Sequence, residues 1–406
     1  MESRDKEINI NDQIELNNEN TGAEESSAPE VIVQKKKWNP IRNMIDGGLF
    51  NLHFRILCFA FAFSGIVYIV SRFIPVFAEF WTKYPAQFAR LILAKLTNWV
   101  PFSLAEAALL ALPIFAIAYI VGSSIATNKD DSDKTFYNWL RPVVSFILII
   151  FTIFLFAFGP AYGRYKLADN LSLERKNVSA EELYTTAVKL SIELNPTINE
   201  IEFDTSGASI MPYDFETLRQ KMNDAFKKYA DSADYISHFN SNPKPIALSE
   251  PMTYTHISGV YTFMTGESNI NTNYPDFLLP YTMAHEMAHQ RGIAREDEAN
   301  FVAFLVCIGS DDAYIRYSGY ANMIHYIISP LSSASSDLYK QYVIYYMSDE
   351  LIDEFTDYSA FFDKYRESKA SEVTGTVNNA FLQSQGQSAG TKSYGLVVDL
   401  AVAYYK

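Results

Sequence analysis

The chain has 406 residues, a net charge of −14 and a hydrophobic share of 49%, values that two ordinary domains could also show. Half of that charge lies in the first thirty residues, which contain nine acidic residues, two basic residues and no aromatic residue. Such a composition buries too little apolar surface to offset the entropy of ordering, so we predict a disordered tail over residues 1–50, acidic at its start and basic near residues 35–37. No basic cluster with interleaved aromatics follows, which argues against nucleic acid as a partner. Two cysteines exclude a disulfide framework and a thiolate zinc cluster.

Three apolar segments follow the tail, at residues 54–80, 104–125 and 143–161. Each provides about twenty residues, the length a helix needs to cross a bilayer, and we predict three transmembrane helices in a membrane domain over residues 51–161. The first segment begins some fifty residues into the chain and no small-residue cleavage site follows it, which argues against a signal peptide.

Between the first two spans, apolar residues recur at helical spacing, with Arg90 and Lys95 at the border of the stripe: Phe88, Leu91, Ile92, Leu96 and Trp99. This pattern is typical of an amphipathic helix in the membrane interface. It also fits a short helix packed on the soluble domain, and the sequence does not choose between them.

Basic residues precede the first span and also lie between the second and third spans. By the positive-inside tendency these segments are cytoplasmic, so residues 162–406 are expected on the other side of the membrane.

Residues 162–406 have an α-rich pattern with a small sheet, that is, an α+β fold class. A capping box at residues 179–182 predicts a helix that ends at Asn195-Pro196, and a second helix is expected over residues 215–229. Residues 253–264 favour one or two strands, of which 259–264 would be either a substrate-pairing edge strand or a core strand. From Glu296 onward the pattern is helical, with a loop near residues 384–391.

The sequence His285-Glu286-Met287-Ala288-His289 carries the candidate chemistry. Pro280 suits the first turn of a helix and Gly292 suits the residue after its end. Histidines at i and i+4 lie on one helix face, where both imidazoles can bind one Zn²⁺. Glu286 then acts as general base on a zinc-bound water.

A third zinc ligand is expected from the following helix. Glu296 shares a face with the small or polar residues Ala299, Asn300 and Ala303, whereas Glu298, the alternative ligand, begins an apolar face. A close approach of the two helices favours Glu296. Asn300, one turn on, would hydrogen-bond a ligating histidine.

These residues predict a membrane-anchored zinc-dependent hydrolase, a metallopeptidase acting on a protein, a peptide or a cell-wall stem peptide. The alternative is a sensor or scaffold that uses the same fold to bind a partner at the membrane without catalysis. Glu286 favours the enzyme, because a structural zinc site needs no general base. We assign no oxyanion-stabilising residue among the candidates Tyr254, His256, Tyr320 and His325.

The two helices resemble the gluzincin pattern, an HExxH motif followed by a helix with E-x-x-A-D, although Asn300 stands at the position of the final acid and Glu296 follows His289 by only seven residues. Arg295 stands where the metzincin pattern has its third histidine. The chain also resembles a family of bacterial three-span membrane proteins with a zincin-like domain, through four segments: residues 159–165, 265–271, 284–305 and 393–404. That resemblance implies a zincin-like fold, a metal and a bacterial cell membrane, but no particular reaction.

Overall fold

The computed structural model describes residues 44–45, 49–130, 132–366 and 368–406, except the side chains of residues 393 and 394. The predicted disordered tail therefore lies almost entirely outside the described residues.

Three helical segments are long and apolar enough to cross a membrane. They are α1 (Leu52–Phe73), α4 (Leu104–Lys129) and α5 (Asp133–Ile153), the last continuing through a π-helical turn (Phe154–Phe158) and a 3₁₀ turn (Gly159–Gly163). The expectation that the first apolar helix continues to residue 80 is wrong. It stops at Phe73 because Pro75 cannot donate a helical hydrogen bond and begins a new helix instead.

Two short helices, α2 (Pro75–Lys83) and α3 (Pro85–Thr97), connect the first two spans. In α3 the buried face carries Ala86, Arg90 and Ala94, and the glycine of the β-turn at residue 266 lies directly against Ala94. Its opposite face leaves Phe88 and Leu96 more than 60% exposed. Helix α3 therefore packs on the soluble domain through small and polar residues, as the second interpretation expects, and its apolar stripe is exposed; the position of the stripe in the membrane interface stays a prediction.

The soluble part is mostly helical, as predicted. Its helices are α6 (Leu167–Asn170), α7 (Ala180–Ile198), α8 (Phe215–Ala230), α9 (Ser249–Thr253), α10 (Leu278–Gln290), α11 (Glu296–Ile308), α12 (Ala313–Ala334), α13 (Ser336–Tyr345), α14 (Asp349–Asp363), α15 (Lys369–Ser384) and α16 (Val397–Tyr405), with a 3₁₀ helix over Gly390–Leu396.

Two boundary predictions in this part are wrong. Helix α7 does not end at Asn195-Pro196 but continues to Ile198, because Pro196 lies on the exposed side while Thr197 and Ile198 are buried in the core. Residues 253–258 do not form a strand, since α9 extends to Thr253 and a turn follows.

The strands form two small sheets. Strands β1 (Glu202–Phe203) and β2 (Ser209–Ile210) pair antiparallel. The second sheet has the order β3-β5-β4, in which β5 (Glu267–Ile270) pairs parallel with β3 (Lys244–Pro245) and antiparallel with β4 (Gly259–Thr262). Strand β4 is thus an edge strand of this sheet.

Helices α10, α11 and α12 pack against one another at the centre of the soluble part. Fully buried side chains such as Met287, Phe304 and Ile324 fill the space between them. The predicted chemistry therefore lies on the innermost pair of helices, where burial holds the backbone rigid.

Candidate metal centre

Helix α10 supplies the two histidines. It begins at Leu278, has Pro280 in its first turn and ends before Gly292, whose φ of +89° is a conformation that favours glycine. Every residue from Leu279 to Gln290 is buried. His285 and His289 lie one turn apart on the same face, and their Nε2 atoms are 3.0 Å apart.

Helix α11 begins with the third donor. The Oε2 atom of Glu296 lies 3.3 Å from Nε2 of His285 and 3.3 Å from Nε2 of His289. The residues that face α10 one and two turns later, Ala299 and Ala303, are small and fully buried, and this permits the close approach of the two helices.

The three donor atoms form a triangle with sides of 3.0, 3.3 and 3.3 Å. Two ligands at about 2.0–2.1 Å from a tetrahedral zinc ion lie about 3.3 Å apart, so the triangle matches one face of that geometry. Within the described part of the chain, Oε2 of Glu296 is buried without a well-aligned hydrogen bond. A buried carboxylate oxygen in that position fits a bound cation.

The close approach of Glu296 to the two histidines shifts the pKa values of Glu296 and His289. Burial opposes the charge on Glu296, but the imidazoles of His289 and His285 outweigh it and hold the pKa of this carboxyl well below its usual range. Burial likewise opposes protonation of His289, yet the carboxylates of Glu296 and Glu286 raise the pKa of His289 to about 9. In the metal-free protein a proton on His289 therefore supplies positive charge that a metal ion would provide instead.

The remaining contacts fix the orientation of the imidazole of His289. Its Nδ1 lies 2.7 Å from the carbonyl oxygen of Ile293, which leaves Nε2 facing Glu296. On the other side, the ring centroid of Phe158 lies 6.2 Å away in an edge-on arrangement. Phe158 belongs to the end of the third span, so the membrane part of the chain forms one wall of the site.

Arg90 of α3 hydrogen-bonds to both α10 and the third span. Its buried guanidinium donates hydrogen bonds to the carbonyl of Gln290 at the end of α10 (3.1 Å) and to the carbonyl of Ala157 in the third span (2.6 Å). Burial lowers the pKa of Arg90 to about 10, which still leaves it charged at neutral pH. Helix α3, the third span and the histidine helix α10 are therefore joined at one buried cation.

Glu286 lies beside the metal-ligand cluster but points to the edge of the sheet. Its carboxylate accepts a hydrogen bond from the backbone N–H of Tyr261 in β4. A Cβ atom at Gly259 would lie 2.7 Å from Cγ of Glu286 and 2.8 Å from its Oε1. Burial raises the pKa of Glu286, although the two histidines lower it in part.

A cavity of about 650 Å³ opens in front of Glu286 and His285. One wall is the start of strand β4, Gly259, together with the preceding residue Ser258, and others come from α10, α12, α14 and α15. Its size is in the range of small-molecule and peptide sites. His289 and Glu296 do not line it, so a molecule in the cavity meets the cluster on the side of His285.

Comparison with known proteins assigns a family to most of the chain. Residues 83–402 match the model of a family described as "Protein of unknown function (DUF3810)". The chain belongs to this family. No curated protein and no solved structure matches the chain.

The matched region includes every predicted site residue. The structure brings His285, His289 and Glu296 together, with Glu286 beside them. Glu298, the alternative ligand, is not in the cluster, because its Oε1 accepts hydrogen bonds from the backbone N–H of Leu167 (2.9 Å) and from Arg295 (3.0 Å).

The Nδ1 of His289 faces the carbonyl of Ile293 and not Asn300; a hydrogen bond from Asn300 to the other ligating histidine, His285, stays a prediction. The Asn300 side chain hydrogen-bonds with the hydroxyl of Tyr326, and the backbone carbonyl of Asn300 accepts from the hydroxyl of Tyr281. Asn300 thus joins α11 to α10 and α12 at the cavity wall.

Among the four unassigned candidates, His256 and His325 line the cavity. Tyr320 hydrogen-bonds with Glu193 away from it, and Tyr254 is not among the lining residues. Sequence reasoning did not find Phe158 and Arg90 as parts of the site. The only signal for Arg90 was a charged residue at the border of an apolar stripe, and the sequence contained no signal for Phe158.

Proposed function

We propose that this protein is a membrane-anchored zinc-dependent hydrolase, a metallopeptidase of zincin-like type. The convergence of His285, His289 and Glu296 on one point, with a buried glutamate beside them at a cavity, is the observation that carries this proposal. A catalytic zinc site has three protein ligands and leaves the fourth position open for water, whereas a structural zinc site has four protein ligands.

His285, His289 and Glu296 would hold the ion. A zinc ion held there would lower the pKa of water and polarise a carbonyl group. The donor set of two imidazoles and one carboxylate suits zinc better than calcium or magnesium, which prefer oxygen ligands alone.

Glu286 would be the general base. Its burial raises the pKa of the carboxyl, which brings it closer to the value that suits a proton acceptor near neutral pH. The hydrogen bond from the N–H of Tyr261 keeps the carboxylate at the cavity edge, where it would take a proton from the attacking water and give it to the leaving amine.

An extended polypeptide suits the cavity. Strand β4 is at the edge of its sheet and borders the cavity through Gly259, so a substrate backbone could add beside it as a further strand. The target would be an amide bond of a protein, a peptide or a cell-wall stem peptide. In a bacterial cell membrane, with the tail in the cytoplasm, this domain would face the outside.

Two measurements on the full chain in lipid nanodiscs test the proposal. The first is its zinc content, and the second is its cleavage of a peptide mixture. The wild type should bind one zinc and cleave, and Glu286→Gln should bind zinc equally but not cleave, because an amide cannot accept the proton. Glu298→Gln is the matched control, since that carboxylate lies outside the cluster, and it should keep both properties.

Less than about 0.2 equivalents of zinc, after zinc is offered at neutral pH, would remove the proposal. Cleavage by Glu286→Gln at the wild-type rate would place the chemistry elsewhere. Zinc binding without cleavage of any peptide would instead support the sensor or scaffold alternative.

A further inference from the structure

Helix α15 separates the cavity from the surface of the protein. Its inward face carries polar and small residues, and Ser371, Thr374 and Asn378 line the cavity. These positions recur every three to four residues, which is the spacing of one helix face. The helix is therefore a wall of the cavity.

The exposed side of α15 includes an apolar stripe. Val373 is 63% exposed, Val377 65% and Phe381 40%, and these residues follow one another at intervals of four. We call Val373, Val377 and Phe381 the α15 stripe. A helix with its polar face on the protein and an apolar stripe outside reverses the usual pattern of a soluble domain, in which the exposed face is polar.

The C-terminal end of α15 contacts two of the three spans. The ring of Phe381 lies 6.1 Å from that of Phe154 in the third span. One residue past the helix, Gln385 accepts hydrogen bonds from the hydroxyl of Tyr68 (3.0 Å) and from the guanidinium of Arg72, both in the last turns of α1. Tyr68 lies five residues before the end of α1, or roughly 7 Å along a helix axis. The end of α15 is thus level with the last turns of the spans, not above them.

Helix α3 has the same arrangement at the same place. It contacts the turn at Phe154–Phe158 and leaves its own stripe exposed, with Phe88 at 65%, Ile92 at 42% and Leu96 at 62%. Two helices that meet the same turn of the third span therefore both present an apolar stripe outward. Exposed apolar stripes on two helices that contact the spans fit lipid as the occupant.

We propose that α15 lies along the bilayer surface, with the α15 stripe among the lipid acyl chains and headgroups, so that this helix forms the wall between the cavity and the membrane. The contacts of Phe381 and Gln385 fix one end at membrane depth, and the stripe requires the rest of the helix to follow the surface. This interaction does not depend on whether the cavity hydrolyses anything.

Spin labels on single cysteines test the proposal in the full chain, reconstituted in phosphatidylcholine and phosphatidylglycerol nanodiscs. Val373→Cys and Val377→Cys carry the label on the stripe, and Glu372→Cys and Thr376→Cys are matched controls on the same helix that are exposed but off the stripe. Cys58→Ala removes the half-buried natural cysteine, and Cys307 is fully buried. All four sites are exposed, so the label itself needs no rearrangement of the core.

Collision rates with oxygen, which concentrates in lipid, and with a water-soluble nickel chelate give the location of each label. The ratio of oxygen to nickel collisions should be at least about threefold higher at both stripe positions than at both controls. Low ratios at the stripe positions, equal to those at the two controls, would overturn the proposal, because the stripe would then face water. Protection of the stripe from both reagents would also overturn it, since a protein partner or a second copy would then cover the helix.

Discussion

Exchanging Glu296 for glutamine tests the third ligand directly. Glutamine keeps the size of the side chain but removes the negative charge that lies 3.3 Å from both imidazole nitrogens. The two histidines remain 3.0 Å apart on α10, so the variant keeps two of three ligands on an unchanged helix.

The expected loss follows from the position of this carboxylate. Residues that only support a ligand typically change metal affinity roughly 10- to 100-fold, and loss of a charged ligand should exceed the upper end of that range. We expect zinc affinity to fall at least about 100-fold, or about 2.8 kcal/mol.

Glu298→Gln is the control on the same turn of α11. Its amide oxygen can still accept from the N–H of Leu167 and from Arg295, and burial already raises the pKa of this carboxyl, so an uncharged group is a mild replacement. Zinc affinity should stay within about threefold of the wild type. A competition titration with a coloured chelator on the detergent-solubilised full chain measures both variants. An affinity loss at Glu298 that exceeds the loss at Glu296 would refute the ligand assignment.

Three further predictions concern the site and its side of the membrane. Gly259→Ala should lower hydrolysis about 100-fold with zinc retained, because the new methyl group would displace Glu286. Gly65→Ala in α1 is the control and should leave peptide cleavage unchanged, because a Cβ atom there would meet no atom within 4 Å and Gly65 does not line the cavity. Zinc affinity should rise about tenfold for each pH unit between about pH 6 and about pH 8, because zinc must displace the proton from His289, whose pKa is about 9. Calorimetry in buffers of different ionisation heat should detect about one proton released for each zinc bound. A zinc affinity that does not change with pH would contradict this. In intact cells a membrane-impermeant thiol reagent should label Asp311→Cys, whose side chain is 89% exposed, and spare a cysteine placed in the tail; the reverse pattern would put the domain in the cytoplasm.

Local signals in the sequence predicted the central helices well. Pro280 and Gly292 bracket α10, and the small residues after Glu296 indicated which face of α11 approaches it. These features are visible because a helix repeats every 3.6 residues and its ends have their own preferences. The three predicted ligands lie within twelve consecutive residues, 285–296, so two helices and one short turn are sufficient to bring them together.

Long-range packing determined what the sequence did not show. His325 reaches the cavity from α12, and Asn378 from α15, each through contacts with segments far away in the chain. Arg90 appeared to mark the polar border of an interfacial helix, but three backbone carbonyls bind its guanidinium in the interior. Pro196 suggested a helix end that burial of Ile198 overrides. A propensity states what a residue prefers locally, and tertiary burial can outweigh it.

The ring of Phe158 against His289 has a consequence for how the protein matures in a cell. A newly made soluble part alone lacks that ring and also lacks Arg90, which ties the end of α10 to the third span. The proposed metal site would therefore be complete only after the spans have entered the bilayer and the domain has docked on them. Membrane insertion, docking and metal uptake would then follow in that order, and chains still waiting for insertion would not yet carry a finished site.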